Sequence, residues 1–157
     1  MSFLSVEKIS AGYGGILADV SFQLEQGCMM GILGANGCGK TTLLKTICGI
    51  LPHKGTCLLE QTVLEQLSAR RMARLVGYIP QRSGISIDIS VLDVVLMGFN
   101  PRLGLLERPG RKMQDLAAQA LEQVGLGGRE QSNYLCLSEG QKQLCILART
   151  LVSGSRL

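Results

Sequence analysis

The chain has 157 residues, 46% of them hydrophobic, with a formal charge of +4, which fits one globular domain with enough apolar residues for a core. Basic residues outnumber acidic ones by 8 to 7 over residues 1–100 and by 8 to 5 over 101–157, too slight a bias for a nucleic-acid surface, and no nucleic-acid partner is expected. No apolar run approaches the ~18 residues of a membrane span, and the start, with Glu7 and Lys8 among alternating residues, lacks the form of a signal peptide, so the expected location is cytoplasmic, with any membrane contact made through a partner.

In chain order, alternation through Phe3–Ile9 and again through Ile16–Leu24 predicts two strands of an antiparallel, half-buried sheet, separated by a turn around Gly12, Gly14 and Gly15. After Gly27, the run Cys28-Met-Met-Gly-Ile-Leu33 has the near-continuous apolar character of a strand covered on both faces. Leu43, Leu44, Ile47 and Ile50 then recur at helical spacing, predicting a helix over 40–50. A short strand is expected at 56–59, a basic helix at 67–75, and a further strand at 76–79 ended by Pro80. From Ser90 the pattern turns helical, and Met113, Leu116, Ala117, Ala120, Leu121 and Val124 mark one buried face. A last helix opens at Ser138 and is expected to carry Leu144, Leu147, Ala148 and Leu151 inward.

Six cysteines, at 28, 38, 48, 57, 136 and 145, include no Cys-x-x-Cys pair, and His53 is the one histidine. Reduced, mostly buried thiols are expected, with His53 solvated in a loop beside Pro52.

The stretch Gly34-Ala-Asn-Gly-Cys-Gly-Lys40-Thr41-Thr42 carries the clearest chemistry. Phosphates need several donors at close range, and glycines let consecutive backbone N–H groups converge on an anion. Gly34, Gly37 and Gly39 supply that freedom, with Asn36 and Cys38 between them. The following helix adds its positive end, Lys40 can reach the β- and γ-phosphates, Thr41 can bind Mg²⁺, and Thr42 can contact the α-phosphate. ATP and Mg²⁺ are the expected cofactors. Cys38 reads first as a small residue that fits the loop; the alternative is a reactive thiol, because it stands beside Lys40 and a helix start.

Ser138-Glu139-Gly140-Gln141 fits a capping box, with Ser at the cap and Gln three residues on. Downstream of a phosphate loop, Leu137-Ser-Glu-Gly-Gln141 resembles the signature sequence of the ATP-binding cassette (ABC) ATPases, usually Leu-Ser-Gly-Gly-Gln, and the resemblance covers the whole chain. It implies an α/β fold: a P-loop NTPase core with an N-terminal antiparallel β subdomain and a helical subdomain. On that pattern Tyr13 stacks on adenine, and Gln81 in Tyr-Ile-Pro-Gln, 41 residues after Lys40, touches Mg²⁺ or positions the attacking water. Two subunits close head to tail, so that Ser138, Gly140 and Gln141 of one meet the γ-phosphate held by the other. Glu139 stands where glycine is usual, and its carboxylate must turn away from that phosphate.

The helical stretch from Val91 through Met97-Gly-Phe-Asn-Pro101 resembles the subdomain that importers of iron-siderophores, haem and cobalamin dock on a membrane permease. The resemblance divides the chain into a nucleotide-binding core with its β subdomain (1–89), a helical subdomain (90–136) and a signature segment (137–157). It also implies carboxylates from an Asp-Glu strand and a switch histidine, neither of which these residues contain; Asp88 and Asp93 are poor substitutes because both precede the signature. The expectation is an ATPase subunit of an importer, cut short before that strand, inactive and poorly folded alone. The alternative is a nucleotide-binding module without turnover.

Overall fold

A computed structural model of the chain describes residues 2–12, 15–81, 84–104 and 106–157. It separates into two compact units, residues 1–72 and 73–157. No helix among the described residues is long and apolar enough to cross a membrane.

The first unit is built on a four-stranded antiparallel sheet of order β2-β1-β3-β4, with β1 at Leu4–Ala11, β2 at Leu17–Leu24, β3 at His53–Leu59 and β4 at Thr62–Val63. The first two strands follow the predicted alternation, with Leu4 opposite Leu24 and Ala11 opposite Leu17. One strand face is packed and the other wet: Leu4, Val6, Ile9, Leu17, Cys57 and Leu59 are all buried, the pattern of a sheet covered on one side. Helix α1, Lys40–Ile47, adds Leu43 and Ile47 to this core. It ends three residues short of the predicted 50 because Gly49 takes φ 68° and the N–H of Ile50 turns back to Lys45 O at 2.8 Å.

A bulge in β1 explains one glycine. Between the pairs Glu7–Thr56 and Ser10–Lys54, Lys8 and Ile9 face the single residue Gly55, the two-against-one pairing of a β-bulge. Lys8 sits at φ 50° and Gly55 at φ 96°. A Cβ on Gly55 would lie 2.5 Å from Glu7 O and closer still to Lys8 O, so no side chain fits there.

Two predicted strands are absent. Residues 28–35 and 76–80 form no ladder with any described segment, and Met29 and Leu33 are almost fully exposed, at 98% and 94%. The apolar run has strand composition, but a strand exists only where a neighbour accepts its hydrogen bonds. Gly77 N–H instead donates to Leu157 O at 2.7 Å.

Helix α2, Ala69–Leu75, contains the division between the units. The second unit packs α3 (Val91–Leu96), α4 (Arg111–Gln123) and α5 (Glu139–Ser153) around Val91, Val94, Val95, Leu121, Tyr134 and Ile146, all at most 0% exposed. Ala117, Ala120 and Leu121 turn inward from α4 as predicted, although Leu116 remains 42% exposed. On α5 the predicted face holds only at Ala148, which is buried as expected. Cys145 and Ile146 are buried beside it, whereas Leu144, Leu147 and Leu151 stand 38%, 38% and 49% exposed; the buried stripe is turned away from the predicted one around the helix.

Candidate functional site: a glycine loop and a capped helix

The loop of residues 34–39 opens directly onto α1. Gly34, Gly37 and Gly39 adopt φ 157°, 84° and 99°, and the last two lie where a side chain is strained. Gly39 is the N-cap of α1 and no side chain caps this helix, which leaves the N–H groups of its first turn available to an anion. Residues 34–38 are exposed, so a ligand can reach them. The ammonium of Lys40 folds into the loop, donating to Gly34 O and Ala35 O at 2.7 Å each, with Cys38 Sγ at 3.8 Å. A positive group is therefore held inside a concave turn beside a positive helix end.

The β1–β2 turn borders this loop. A Cβ on Gly39 would come 2.8 Å from Leu17 Cδ2 and 2.9 Å from Ile16 Cγ2, and one on Gly12 would lie 3.5 Å from Thr42 Cγ2. Tyr13 lies outside the described residues, but its neighbour Gly12 is thus against Thr42. Thr41 is exposed in the first turn and Thr42 half-buried.

In the second unit, Ser138 and Gln141 form the predicted capping box. Gln141 N–H donates to Ser138 Oγ at 3.3 Å, and Ser138 N–H donates to Gln141 Oε1 at 3.0 Å. These bonds occupy two of the donors at the start of α5, and Gly140 remains exposed. Glu139 turns along its own helix to Lys142, with Nζ and Oε1 2.8 Å apart, and this hydrogen bond is the main cause that raises the lysine's pKa. The carboxylate that departs from the signature pattern is thereby partly neutralised. Gln81 is exposed, and Gln143 Nε2 donates to its backbone carbonyl at 2.8 Å, a tie between the Tyr-Ile-Pro-Gln segment and α5 that sequence spacing could not suggest across 62 residues. Asp88 accepts from Asn133 Nδ2 at 2.7 Å, and Asp93 accepts the Ser90 hydroxyl at 2.6 Å at the start of α3. Both carboxylates serve local structure.

The cysteines divide evenly rather than being mostly buried: Cys28, Cys38 and Cys136 are exposed, Cys48 is intermediate, and Cys57 and Cys145 are buried. Burial pushes Cys48 and Cys145 up to about 11, and burial together with Glu65 pushes Cys57 to about 12. These three stay protonated thiols at neutral pH and should resist alkylation. Mass spectrometry after brief iodoacetamide treatment should find modification at residues 28, 38 and 136 only, and ATP should protect residue 38 selectively. Unprotected alkylation of Cys38 in saturating ATP would contradict a phosphate site in this loop.

An antiparallel sheet beside a glycine loop that opens onto an uncapped helix, together with a helical unit ending in a capped helix, defines a nucleotide-binding α/β domain. The chain belongs to the ABC transporter family, whose model matches residues 17–157, and represents its ATP-binding domain. It is 39% identical over 142 residues to the manganese transport system ATP-binding protein MntB of Listeria innocua, covering 88% of this chain and 57% of that protein. It is 40% identical over 151 residues to the hemin import ATP-binding protein HmuV of Bordetella pertussis, covering 94% and 56%. Among solved structures, an ABC transporter assigned to the metal-chelate type and captured inward-facing matches with a TM-score of 0.80 at 31% identity, over 97% of this chain and 56% of that one. The chain spans a little over half the length of the curated relatives it matches. The α/β cassette fold with its antiparallel β and helical parts is thereby established.

Proposed function

We propose that this chain is the ATP-binding part of an importer subunit, which couples ATP binding and hydrolysis to the passage of an iron complex or related metal chelate through a membrane permease. The observation that carries the reading is the exposed glycine loop with Lys40 folded into it at an uncapped helix start. A triphosphate takes the N–H groups of residues 37–42 and the Lys40 ammonium, while Asn36 and Cys38 complete the loop wall. Thr41 is the residue of this loop that would hold Mg²⁺, which supplies charge neutralisation at the phosphate oxygens when bound, and Gln81 is assigned to Mg²⁺ or the attacking water on the family pattern alone. The fit is chemical: an exposed hydroxyl in the first helical turn is a hard oxygen donor of the kind that ion prefers. Tyr13 is assigned to adenine on the family pattern, and its described neighbour Gly12 lies against Thr42.

Ser138, Gly140 and Gln141 are assigned to the γ-phosphate held by a second, head-to-tail subunit, and the Glu139–Lys142 pair keeps the extra carboxylate off that anion. The proposed organisation is one cassette domain: a nucleotide-binding core with its β subdomain at 1–89, a helical subdomain at 90–136 and the signature segment at 137–157. A shallow, open groove of about 300 Å³ on the helical part, lined by Asp93, Leu96, Met97, Asn100 and Arg108 among others, combines apolar and charged walls, and the permease contact is assigned to this part on the family pattern. The protein would then lie on the inner face of the membrane through that partner. The names of the manganese and hemin relatives support a metal or metal-chelate cargo.

The second reading is a module that binds nucleotide without turnover. Two measurements separate the readings: ATP binding and phosphate release by the chain alone, and the same with an intact cassette subunit. Release by the chain alone favours the transporter subunit. Binding without release alone, with the intact subunit's own rate raised on mixing, favours the module, and absence of binding removes both.

A further inference from the structure

We propose that His53, Cys57 and Glu65 form a binding site for a zinc-like divalent ion. Their ligand atoms, an imidazole nitrogen, a thiol sulfur and a carboxylate oxygen, all lie within 4.8 Å of one another. In tetrahedral zinc, with bonds of about 2.0–2.3 Å to these donors, ligand atoms sit about 3.3–3.8 Å apart. Nε2 and Oε1, 2.8 Å apart, therefore have to separate by about half an ångström, and a pair at the 4.8 Å limit has to close by about 1 Å, movements within reach of side-chain rotation.

The fold builds this cluster from residues distant in sequence. His53 opens β3 and Cys57 lies four residues along the same strand. Glu60 and Gln61, at φ 46° and 70°, then reverse the chain into β4, and the 3-10 turn Leu64–Gln66 brings Glu65 back alongside β3. Far from being solvated as its sequence context suggests, the His53 side chain is 8% exposed, with Nε2 2.8 Å from Glu65 Oε1. Its other nitrogen, Nδ1, lies 3.3 Å from Leu51 O. Without an ion, Nε2–H donates to Glu65 Oε1; on binding, the imidazole takes its other tautomer, with the proton on Nδ1 shared with Leu51 O, and Nε2 presents its lone pair to the ion, the usual arrangement behind a metal-bound histidine. Glu65 is oriented in the same way: its Oε1 accepts Cys57 N–H at 2.7 Å.

The donor set selects the ion. Mg²⁺ and Ca²⁺ take oxygen ligands and would leave nitrogen and sulfur unused, whereas Zn²⁺ accepts all three. Cys57 is 1% exposed and Glu65, with a side chain 28% exposed, forms the open side. That side gives the ion its entry, and a water completes four-coordination there. On binding, the Cys57 S–H bond breaks, its proton passes to solvent, and the sulfur electron pair forms the bond to the ion; no redox change occurs. Cys48 ends α1 and His53 follows five residues on, whereas the glycine loop precedes the opposite end of that helix. The metal and nucleotide sites are thus separate in the chain.

Cobalt(II) is the probe, because a thiolate ligand gives it a charge-transfer band in the near ultraviolet. The titration uses the full chain with the exposed Cys28, Cys38 and Cys136 changed to serine. One equivalent of cobalt should produce the band, and zinc should displace it. Cys57→Ser should abolish it, and His53→Gln and Glu65→Gln should each weaken binding at least tenfold. Circular dichroism checks each variant; should Cys57→Ser fail to fold, the other two decide. No band, a band surviving in folded Cys57→Ser, or unchanged affinity in both other variants overturns the proposal.

Discussion

Replacing Lys40 by alanine should weaken ATP binding by about 10- to 100-fold while leaving the melting temperature almost unchanged. The ammonium has three N–H donors, and two of them already meet Gly34 O and Ala35 O at 2.7 Å. It therefore sits where a phosphate chain entering the loop must pass. A hydrogen bond to a charged group contributes about 1.5–3 kcal/mol, which converts to the stated loss of affinity. Stability should hardly respond, because the bonds that Lys40 makes lie at the surface and substitutions there usually fall within about 0.5 kcal/mol. Titration with a fluorescent ATP analogue, beside a thermal melt, checks both halves. Equal affinities for the two proteins would remove the phosphate loop from the argument. A joint fall in affinity and melting temperature would instead assign Lys40 a role in folding. Lys40→Arg should rescue poorly, since a planar guanidinium cannot point its donors at two adjacent carbonyls and a phosphate as a tetrahedral ammonium does.

What sequence reading captured here is mostly what neighbours in the chain decide. The glycine loop, the start of α1 at Lys40 and the Ser138–Gln141 box depend on residues within a few positions of one another, and all are as expected. The alternation of β1 and β2 is equally local. What failed depends on partners far along the chain. Residues 28–33 have the composition of a buried strand, yet pairing needs a neighbour that composition does not reveal. On α5 two overlapping apolar stripes coexist, one through Leu144, Leu147, Ala148 and Leu151 and one through Cys145, Ile146 and Ala148. Periodicity detects the helix, but only the packing of α3 and α4 chooses the stripe. His53 departs from the expected solvated loop for the same reason: its partner Glu65 is 12 residues away, beyond a two-residue turn. The Asn133–Asp88 and Gln143–Gln81 bonds, spanning 45 and 62 residues, have no sequence signal at all.

The motif residues also carry structural work that a binding role alone would hide, and Gly98 is the sharpest case. Its backbone does not need positive φ. It is glycine because the 3-10 turn Met97–Phe99 presses onto α5: a Cβ would lie 2.6 Å from Val152 Cγ2 and nearer still to Arg149 O. A side chain such as Val152 can rotate away, but a helical carbonyl cannot. Gly98→Ala should therefore cost about 3 kcal/mol, at the upper end for overpacking. For a cooperative unit of this size, each kcal/mol shifts the melting temperature by about 4–8 °C, so a drop of more than 10 °C is expected. Gly140→Ala is the matched comparison. It lies in the first turn of α5, with nothing within 4 Å of its would-be Cβ, and replacing it by alanine should stabilise by up to about 0.5 kcal/mol, less than the gain in a helix interior. The same one-carbon addition should thus move the melt in opposite directions at two residues that belong to the same pair of elements. If the two variants melt together, the turn is not seated on the α5 backbone, and the Met97-Gly98 pair would have to be explained by contacts with a partner rather than by packing within this unit.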